Sequence, residues 1–392
     1  MNARERYLNS LLGGSVDRFF RYETGAWPST IRRWKTEGLP KNVSDEEKLN
    51  VQLYILDKAK VVSDEKEISF NEHFQYDPLF RLPVQSGYCD SPLFPKYQTE
   101  ILFEEESKYT IRDVDGVIKK IFKENPDLSM PMFIEFPVKT PADWEKVKQE
   151  HMQIDMVKEL LGDVPTIAKE IGSETRDFPV FMTACGGFGH PRNLLGDENL
   201  CLAYYDEPEM VHDIMEHWLA INVEILSVVS KHIVLDNYLI WEDMAYKNGP
   251  LIGPDMFRTY ILPYYKDLVS HAKTLGVKAV TVDTDGDCIS LIPLFLEAGV
   301  DALLPFEVQA GMDIVKIREQ FGDVFGIIGG IDKRALATGK EAIKNEIDRV
   351  CPYFKDALRY IPSLDHTVPA DVPYENFLFY LECLRSYENK FN

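Results

Sequence analysis

The stretch AVTVDTDGDCISLI, residues 279–292, runs a β-favouring segment straight into three acids, Asp283, Asp285 and Asp287. Residues two apart on a strand point to the same side, so Asp283 and Asp285 are expected to share a face. Two carboxylates buried together without a partner are costly, or one of them keeps its proton. A metal ion, a cationic substrate group or a shared proton would resolve the repulsion. The bland alternative is a strand that stops at Val282, with solvated acids capping the next helix. Asp287 suits that role, because DCISLIPLFLEAG reads as a helix and Asp is a good N-cap. His366, after YIPSLD, is a natural metal ligand or general acid–base, although a lone loop histidine usually serves as neither.

Other candidates end further apolar runs. Glu242 and Asp243 in IWEDMAYKNG are adjacent, so only one can face a site. Glu307 ends LLPFE. Asp332 in GGID either faces the site or caps the helix starting at KRAL. Cys185 opens CGGFGHPRNLLG, where Gly186 and Gly187 allow close backbone approach to a ligand, with a plain turn as the default. His190 in this loop is a weaker candidate. Tyr22, Trp27, Tyr246 and Phe306 could line an apolar pocket or equally belong to the core.

The elements that must position these residues form a regular pattern from about residue 178. Short apolar runs alternate with helical segments at 206–233, 254–275, 313–320 and 340–357. Such alternation implies βαβ units and a parallel sheet. The polar residues collect at the C-terminal ends of successive runs: Cys185, Glu242-Asp243, Asp283-Asp285, Glu307, Asp332 and Asp365-His366. That fits a closed (β/α)8 barrel better than a doubly wound sheet, which has one switch point. No GxGxxG or P-loop comes after a strand. FFRYETGAW (19–27), with Glu23 near its end, is expected as an early barrel strand.

Upstream, residues 3–12 and 45–61 read as helices. TEILFEEESKYTIRDVDGVIKKIF reads as two strands around Asp115-Gly116, a hairpin inserted over about residues 95–125. KTPADWEKVKQE reads as a helix started by Thr140. The expected fold is α/β, a (β/α)8 TIM barrel with an N-terminal helical and hairpin elaboration, forming a single domain over 1–392.

A formal net charge of −21 argues against nucleic acid or anionic membrane as the partner. No run approaches 18 apolar residues, so no transmembrane helix is expected. MNARERYLNSLLGG lacks the apolar core of a secretory signal. Six cysteines without CxxC spacing are expected as the reduced thiols of a cytoplasmic protein.

The segments WEDMAYKNGPLIGPDMFRTYILPYYKDL, VDTDGD, PFEVQAGMDI, IIGGIDKRAL and DHTVPADVP resemble the uroporphyrinogen decarboxylase superfamily over most of residues 178–388. A weaker echo lies at NARERYLNSLLGGSVDRFF. The resemblance implies a TIM-barrel enzyme and one of two chemistries. One is metal-free decarboxylation of uroporphyrinogen; the other is zinc-dependent methyl transfer to or from a corrinoid protein. The decarboxylases grip substrate carboxylates with an arginine-rich N-terminal motif. Here RYETGAWPS keeps Arg21, lacks the second arginine and adds Glu23, so a polycarboxylate would meet repulsion. His366 does match the decarboxylases' late histidine in position. The methyltransferases' His-x-Cys pair falls on Asp283 and Asp285, and their late cysteine falls near Asp365-His366.

The resemblance therefore implies a zinc ion held by Asp283, Asp285 and His366, with Glu242 or Glu307 as fourth ligand or proton donor. A hard O/N site suits Lewis-acid activation of an ether oxygen. The implied function is transfer of a methyl group from a methoxylated small molecule, aromatic ones included, to a corrinoid protein: an O-demethylase component. Glu242, Glu307 and His366 would be catalytic. Tyr22, Glu23, Trp27, Cys185, Tyr246, Phe306 and Asp332 would line the pocket. The corrinoid would arrive on a separate protein, and a homodimer is common in the superfamily. Two alternatives stand beside this reading. One is metal-free decarboxylation of a smaller substrate by Asp283 or Asp285 with His366; the other is a non-catalytic barrel binding a tetrapyrrole or small ligand.

Overall fold

The computed structural model describes residues 1–44, 61–62, 65–66, 68–84, 89–123, 131–173, 175–354 and 359–388. The helix expected at 45–61 falls outside these, except Val61, which lies in a short strand.

Seven strands form the parallel sheet that carries the site. They are β1 (Phe80–Arg81), β2 (Val180–Cys185), β3 (Asn237–Trp241), β4 (Ala279–Asp283), β5 (Ala302–Leu304), β6 (Gly326–Ile328) and β7 (Tyr360–Ile361). Each pairs with its successor in the chain, so the sheet winds in one direction. Between strands lie helices such as Pro208–Val229 after β2 and Lys340–Phe354 after β6. The helix expected over 254–275 is broken into Pro254–Tyr260 and Leu262–Thr274. Pro263 has no N–H to continue the ladder there.

The side chains sort into two sets. Val180, Met182, Tyr238, Ile240, Val280 and Val282 point outward into the main core beneath the helices. Phe181, Leu239, Ala279, Ala302, Leu304, Ile328 and Ile361 point inward and form a separate apolar plug. Two-sided burial is why these runs are almost continuously apolar. The first helix, Ala3–Leu12, closes the bottom of this interior with Ala3, Tyr7 and Leu11. A polar layer sits above: the Asn237 amide donates to the Tyr7 hydroxyl at 2.9 Å and to Thr281 Oγ1 at 2.9 Å. This is a TIM-barrel-like α/β fold.

The stretch 19–27 is not a regular strand. It is extended and sends Phe20 into the barrel interior. It bonds to Asp77 just before β1 and to Val368 beyond β7. A single bridge, Ala26 to Val368, is its sheet-like pairing among the described residues. Side chains replace the ladder: Asp77 Oδ2 accepts the Arg21 N–H at 2.8 Å, and Glu23 Oε1 accepts the Leu364 N–H at 3.0 Å. The eighth position of the expected barrel is filled by this irregular segment.

The expected hairpin is part of a larger sheet. TEILFEEESKYTIRDVDGVIKKIF holds three strands, Glu100–Glu104, Lys108–Arg112 and Ile118–Phe122, and Met132–Glu135 adds a fourth. The turn at Asp115-Gly116 is present, with Gly116 at φ +82°. Asp113 Oδ1 accepts the N–H groups of Asp115 and Val117 across it. Thr140 starts the next helix through a capping box with Asp143. Among the described residues no helix is long and apolar enough to cross a membrane.

Candidate active site

At the C-terminal ends of the strands, Cys185 registers with Trp241, Trp241 with Asp283, and Asp283 with Leu304. These residues continue the inward-pointing alternation, so they ring the mouth of the barrel. The ladder stops at Asp283, and the chain turns at Gly286 with φ +73°. Asp285 therefore does not repeat the strand face of Asp283. It approaches His366, with Oδ2 3.5 Å from Nε2, both side chains half-buried. Burial alone would push the imidazolium down. The hydrogen bond and charge of Asp285, helped by Asp283, outweigh that and the opposing Lys333 charge, so His366 titrates above its ordinary value. Asp287 accepts the Ile289 N–H at 3.1 Å from one residue before the cap position, which Cys288 occupies.

Glu307 stands beside this pair. Its carboxylate accepts the Gly286 N–H at 3.1 Å and meets Lys333 Nζ at 3.4 Å. Asp243 is held by Arg192, Oδ2 to Nη2 at 2.9 Å, and the Arg192 guanidinium lies 5.1 Å from the Trp241 ring centre. Asp243, Tyr246, Asp285, Glu307 and Arg334 help line a cavity of about 380 Å³. That volume fits a small molecule. Lys333, Arg192 and Trp241 do not stand out in the sequence. Lys333 reads there as an ordinary helix-start residue, and Trp241 as core.

Several expected site residues are elsewhere. Glu242 is fully buried, and its carboxylate accepts the N–H groups of Gly187 (2.7 Å), Phe188 (2.7 Å) and Gly189 (3.0 Å) and the Tyr265 hydroxyl. It anchors the glycine-rich loop instead of facing substrate. Cys185 stays at the strand end in the mouth but is buried, its Sγ 3.5 Å from the Asn193 amide, and burial pushes its thiol well above the usual range. Trp27 sits at the start of the Pro28–Glu37 helix, and Phe306 packs in the core against Phe325. Asp332 caps the Lys333–Thr338 helix and chelates Arg334. Tyr22 packs against the barrel interior. His190 is buried against Ser91 Oγ at 2.8 Å, and burial drives its pKa down to about 3. Asp365 accepts the Val308 and Lys333 N–H groups and is lifted by burial to about 6.

The zinc ligands expected from the resemblance do not assemble into a cage. Among the described residues no group of three or more His, Cys, Asp or Glu side chains is placed to hold a metal ion. Of the expected set, Asp285 and His366 meet as an ion pair, while Asp283 stays on the strand below the turn.

Glu23 also leaves the mouth. It is buried between the Leu364 N–H and the Tyr380 hydroxyl. Burial raises its pKa to about 8, against the hydrogen bonds it accepts. The folded value exceeds the unfolded one, so the unfolded chain sheds this proton first. Burying Glu23 weighs increasingly against folding as pH rises from about 4.5 towards about 8. The melting temperature of Glu23→Gln relative to wild type is therefore expected to improve between pH 5 and pH 8. A difference that stays flat across that range would contradict this assignment.

Residues 124–387 match the family model described as Uroporphyrinogen decarboxylase (URO-D). Among similar proteins, the uroporphyrinogen decarboxylase of Geotalea uraniireducens (strain Rf4) is 24% identical over 274 residues, covering 66% of this chain and 74% of that one. The uroporphyrinogen decarboxylase of Chlorobium chlorochromatii (strain CaD3) is 24% identical over 193 residues, and the chain spans only 52% of its length. A solved methyltransferase from Methanosarcina mazei superimposes with a TM-score of 0.58 at 14% identity, covering 100% of this chain and 99% of that one. The barrel, its mouth and a family match over well more than half of the sequence agree: this chain belongs to the uroporphyrinogen decarboxylase family.

Proposed function

We propose that this chain is a methyltransferase that takes a methyl group from a methoxylated small molecule and passes it to a corrinoid carried by a separate protein. The observation that carries the reading is the state of Arg21. It is the one arginine kept from the decarboxylases' carboxylate-gripping motif, and its Nε and Nη2 bind Glu388 at 2.9 and 2.6 Å. It is thus engaged by a carboxylate of its own chain, and cations at the mouth are engaged likewise: Arg192 by Asp243, Lys333 by Glu307 and Arg334 by Asp332. A polycarboxylate would have to displace these pairs to be gripped, whereas a small neutral methoxy compound fits the 380 Å³ cavity. The fold shared along the whole chain with the Methanosarcina mazei methyltransferase is consistent with this choice.

When docked at the mouth, the corrinoid supplies the nucleophile that accepts the methyl group. The chain's own work is to hold the donor and to protonate the oxygen left behind. His366 carries that proton, and Asp285 favours the ring's charged form and orients it. Lys333 holds Glu307 in place beside them. No step is assigned to a metal, since the expected donor set does not fit one.

The test is incubation of the protein with 2-methoxyphenol and cob(I)alamin, following the loss of cob(I)alamin absorbance. A rate well above the protein-free control is expected. A panel of methoxylated phenols giving no rate above that control would sink the reading. A second reading, metal-free decarboxylation of a small carboxylate, draws on the same His366–Asp285 pair, which needs no metal to move a proton.

A further inference from the structure

Between β3 and the Pro254–Tyr260 helix the chain makes a small hairpin, Ala245–Tyr246 paired with Gly249–Pro250, with Lys247 and Asn248 at its tip. It overhangs the mouth, because Ala245, Tyr246 and Lys247 line the same cavity as Asp285 and Glu307. Its base is fixed to the turn after β4. The Tyr246 carbonyl accepts the Asp287 N–H at 2.9 Å, and Thr284 Oγ1 accepts the Met244 N–H at 3.1 Å. A Cβ built on Gly286 would stand 2.4 Å from the Ala245 carbonyl oxygen, so turn and hairpin touch directly. The Tyr246 hydroxyl adds a bond to Asp197 at 3.2 Å. Lys247 therefore rides on a backbone already held in place, which lowers the cost of ordering it around a ligand.

The other charges of this cavity come in pairs. Asp243 meets Arg192, Asp285 meets His366, Glu307 meets Lys333, and Arg334 meets Asp332. Lys247 breaks the pattern. It is exposed, and among the described residues it has no ion pair, although Asp243, Asp285 and Glu307 line the cavity with it. Each of those three carboxylates is already claimed. In a chain of net charge −21, this leaves one cation at the mouth open to a negative group from outside.

We propose that Lys247 selects methyl donors that carry one acidic group, a carboxylate set away from the methoxy oxygen. This rests on the methoxy-donor reading above and narrows it. One uncommitted cation suits one carboxylate, while a second carboxylate would have to break one of the existing pairs. The two ends of the donor are then read by different residues: His366 serves the methoxy oxygen and Lys247 the acid. A lysine ammonium is a compact charge with three donors on a flexible stem, so it reads the charge of its ligand more than its exact shape. Neutral donors such as 2-methoxyphenol still enter the cavity and bind less tightly.

Isothermal titration calorimetry of the full chain tests this with the three methoxybenzoate isomers and the matching neutral methoxybenzamides. Wild type is compared with Lys247→Met and Lys247→Arg. The position is exposed, so folding should be untouched, and circular dichroism checks it. Wild type is expected to bind at least one acid about 10-fold more tightly than its amide, the low end for a charged hydrogen bond because the lysine is in contact with solvent. Lys247→Met should erase that difference while leaving the affinity for the amide unchanged, and Lys247→Arg should restore most of it. Equal binding of acid and amide by wild type overturns the proposal alone. A preference that survives in Lys247→Met overturns it too, by assigning the carboxylate to another cation. Absence of binding by every acid and amide overturns both the proposal and the methoxy-donor reading. The titration needs no cob(I)alamin, so the expected affinities without methyl transfer would count against the proposed reaction and leave Lys247 as an acid-binding residue.

Discussion

Replacing Glu242 by alanine is expected to destabilise the fold by about 4 kcal/mol, because it strands several buried donors, each costing ~1–3 kcal/mol when left unpaired. The carboxylate accepts three successive backbone N–H groups, from Gly187, Phe188 and Gly189, and the Tyr265 hydroxyl. These amides lie at the start of the Gly189–Leu195 helix, where they have no intrahelical partner. Burial raises the Glu242 pKa, and the four hydrogen bonds oppose that rise. The fit is close: a Cβ built on Gly186 would stand 2.2 Å from the Glu242 carboxyl carbon. Glu242→Gln should recover only part of the loss, since its amide keeps one acceptor oxygen and turns a second donor towards the N–H groups. Gly186→Ala should also destabilise, by ~1–3 kcal/mol, as overpacking a filled site does. Urea denaturation measures all three. Wild-type stability in Glu242→Ala would mean that the loop has another anchor.

His366→Ala is expected to lower kcat by roughly 10²–10⁴-fold, the range for removing a general acid–base, with the melting temperature nearly unchanged. The ring is half-buried in the mouth and its contact there is Asp285, so little packing is lost. Asp285→Asn separates the proton role from simple bulk. The charge and hydrogen bond of Asp285 raise the His366 pKa, against the burial that lowers it. Without that carboxylate the imidazolium loses its proton at lower pH. A general acid must be protonated to act, so the alkaline limb of the pH–rate profile should move to lower pH in Asp285→Asn. A reduced rate with the limb unmoved would assign Asp285 to substrate binding instead.

The sequence is most informative where structure depends on burial alone. Strands β2, β3 and β4 are apolar on both faces and are visible as uninterrupted runs. Their polar C-terminal residues correctly point to a barrel mouth. The expectations that fail depend on partners distant in the chain. FFRYETGAW has the composition of a strand, but its backbone is satisfied by the Asp77 side chain and by Val368, while its Glu23 side chain takes the Leu364 N–H, which no local pattern reveals. Glu242 and Asp243 are indistinguishable as neighbours. The donors that claim Glu242 belong to a loop on the preceding strand, and the cation that claims Asp243 is Arg192. The Asp283–Asp285 spacing fits a strand, yet the ladder ends at the first of them and Gly286 turns the chain. Lys333 is inconspicuous because a lysine after an N-cap is commonplace; what sets it apart is its reach to Glu307 beside His366.

The central claim is that this barrel moves a methyl group and does not decarboxylate. The most direct measurement presents one preparation with two assays side by side. One contains 2-methoxyphenol with cob(I)alamin and is read as loss of cob(I)alamin absorbance. The other contains uroporphyrinogen and is read as release of carbon dioxide. The account predicts a methyl-transfer rate that falls to background in His366→Ala, with no carbon dioxide release above the protein-free control. Steady carbon dioxide release with no methyl transfer would contradict it and make the chain a decarboxylase in activity as well as in family.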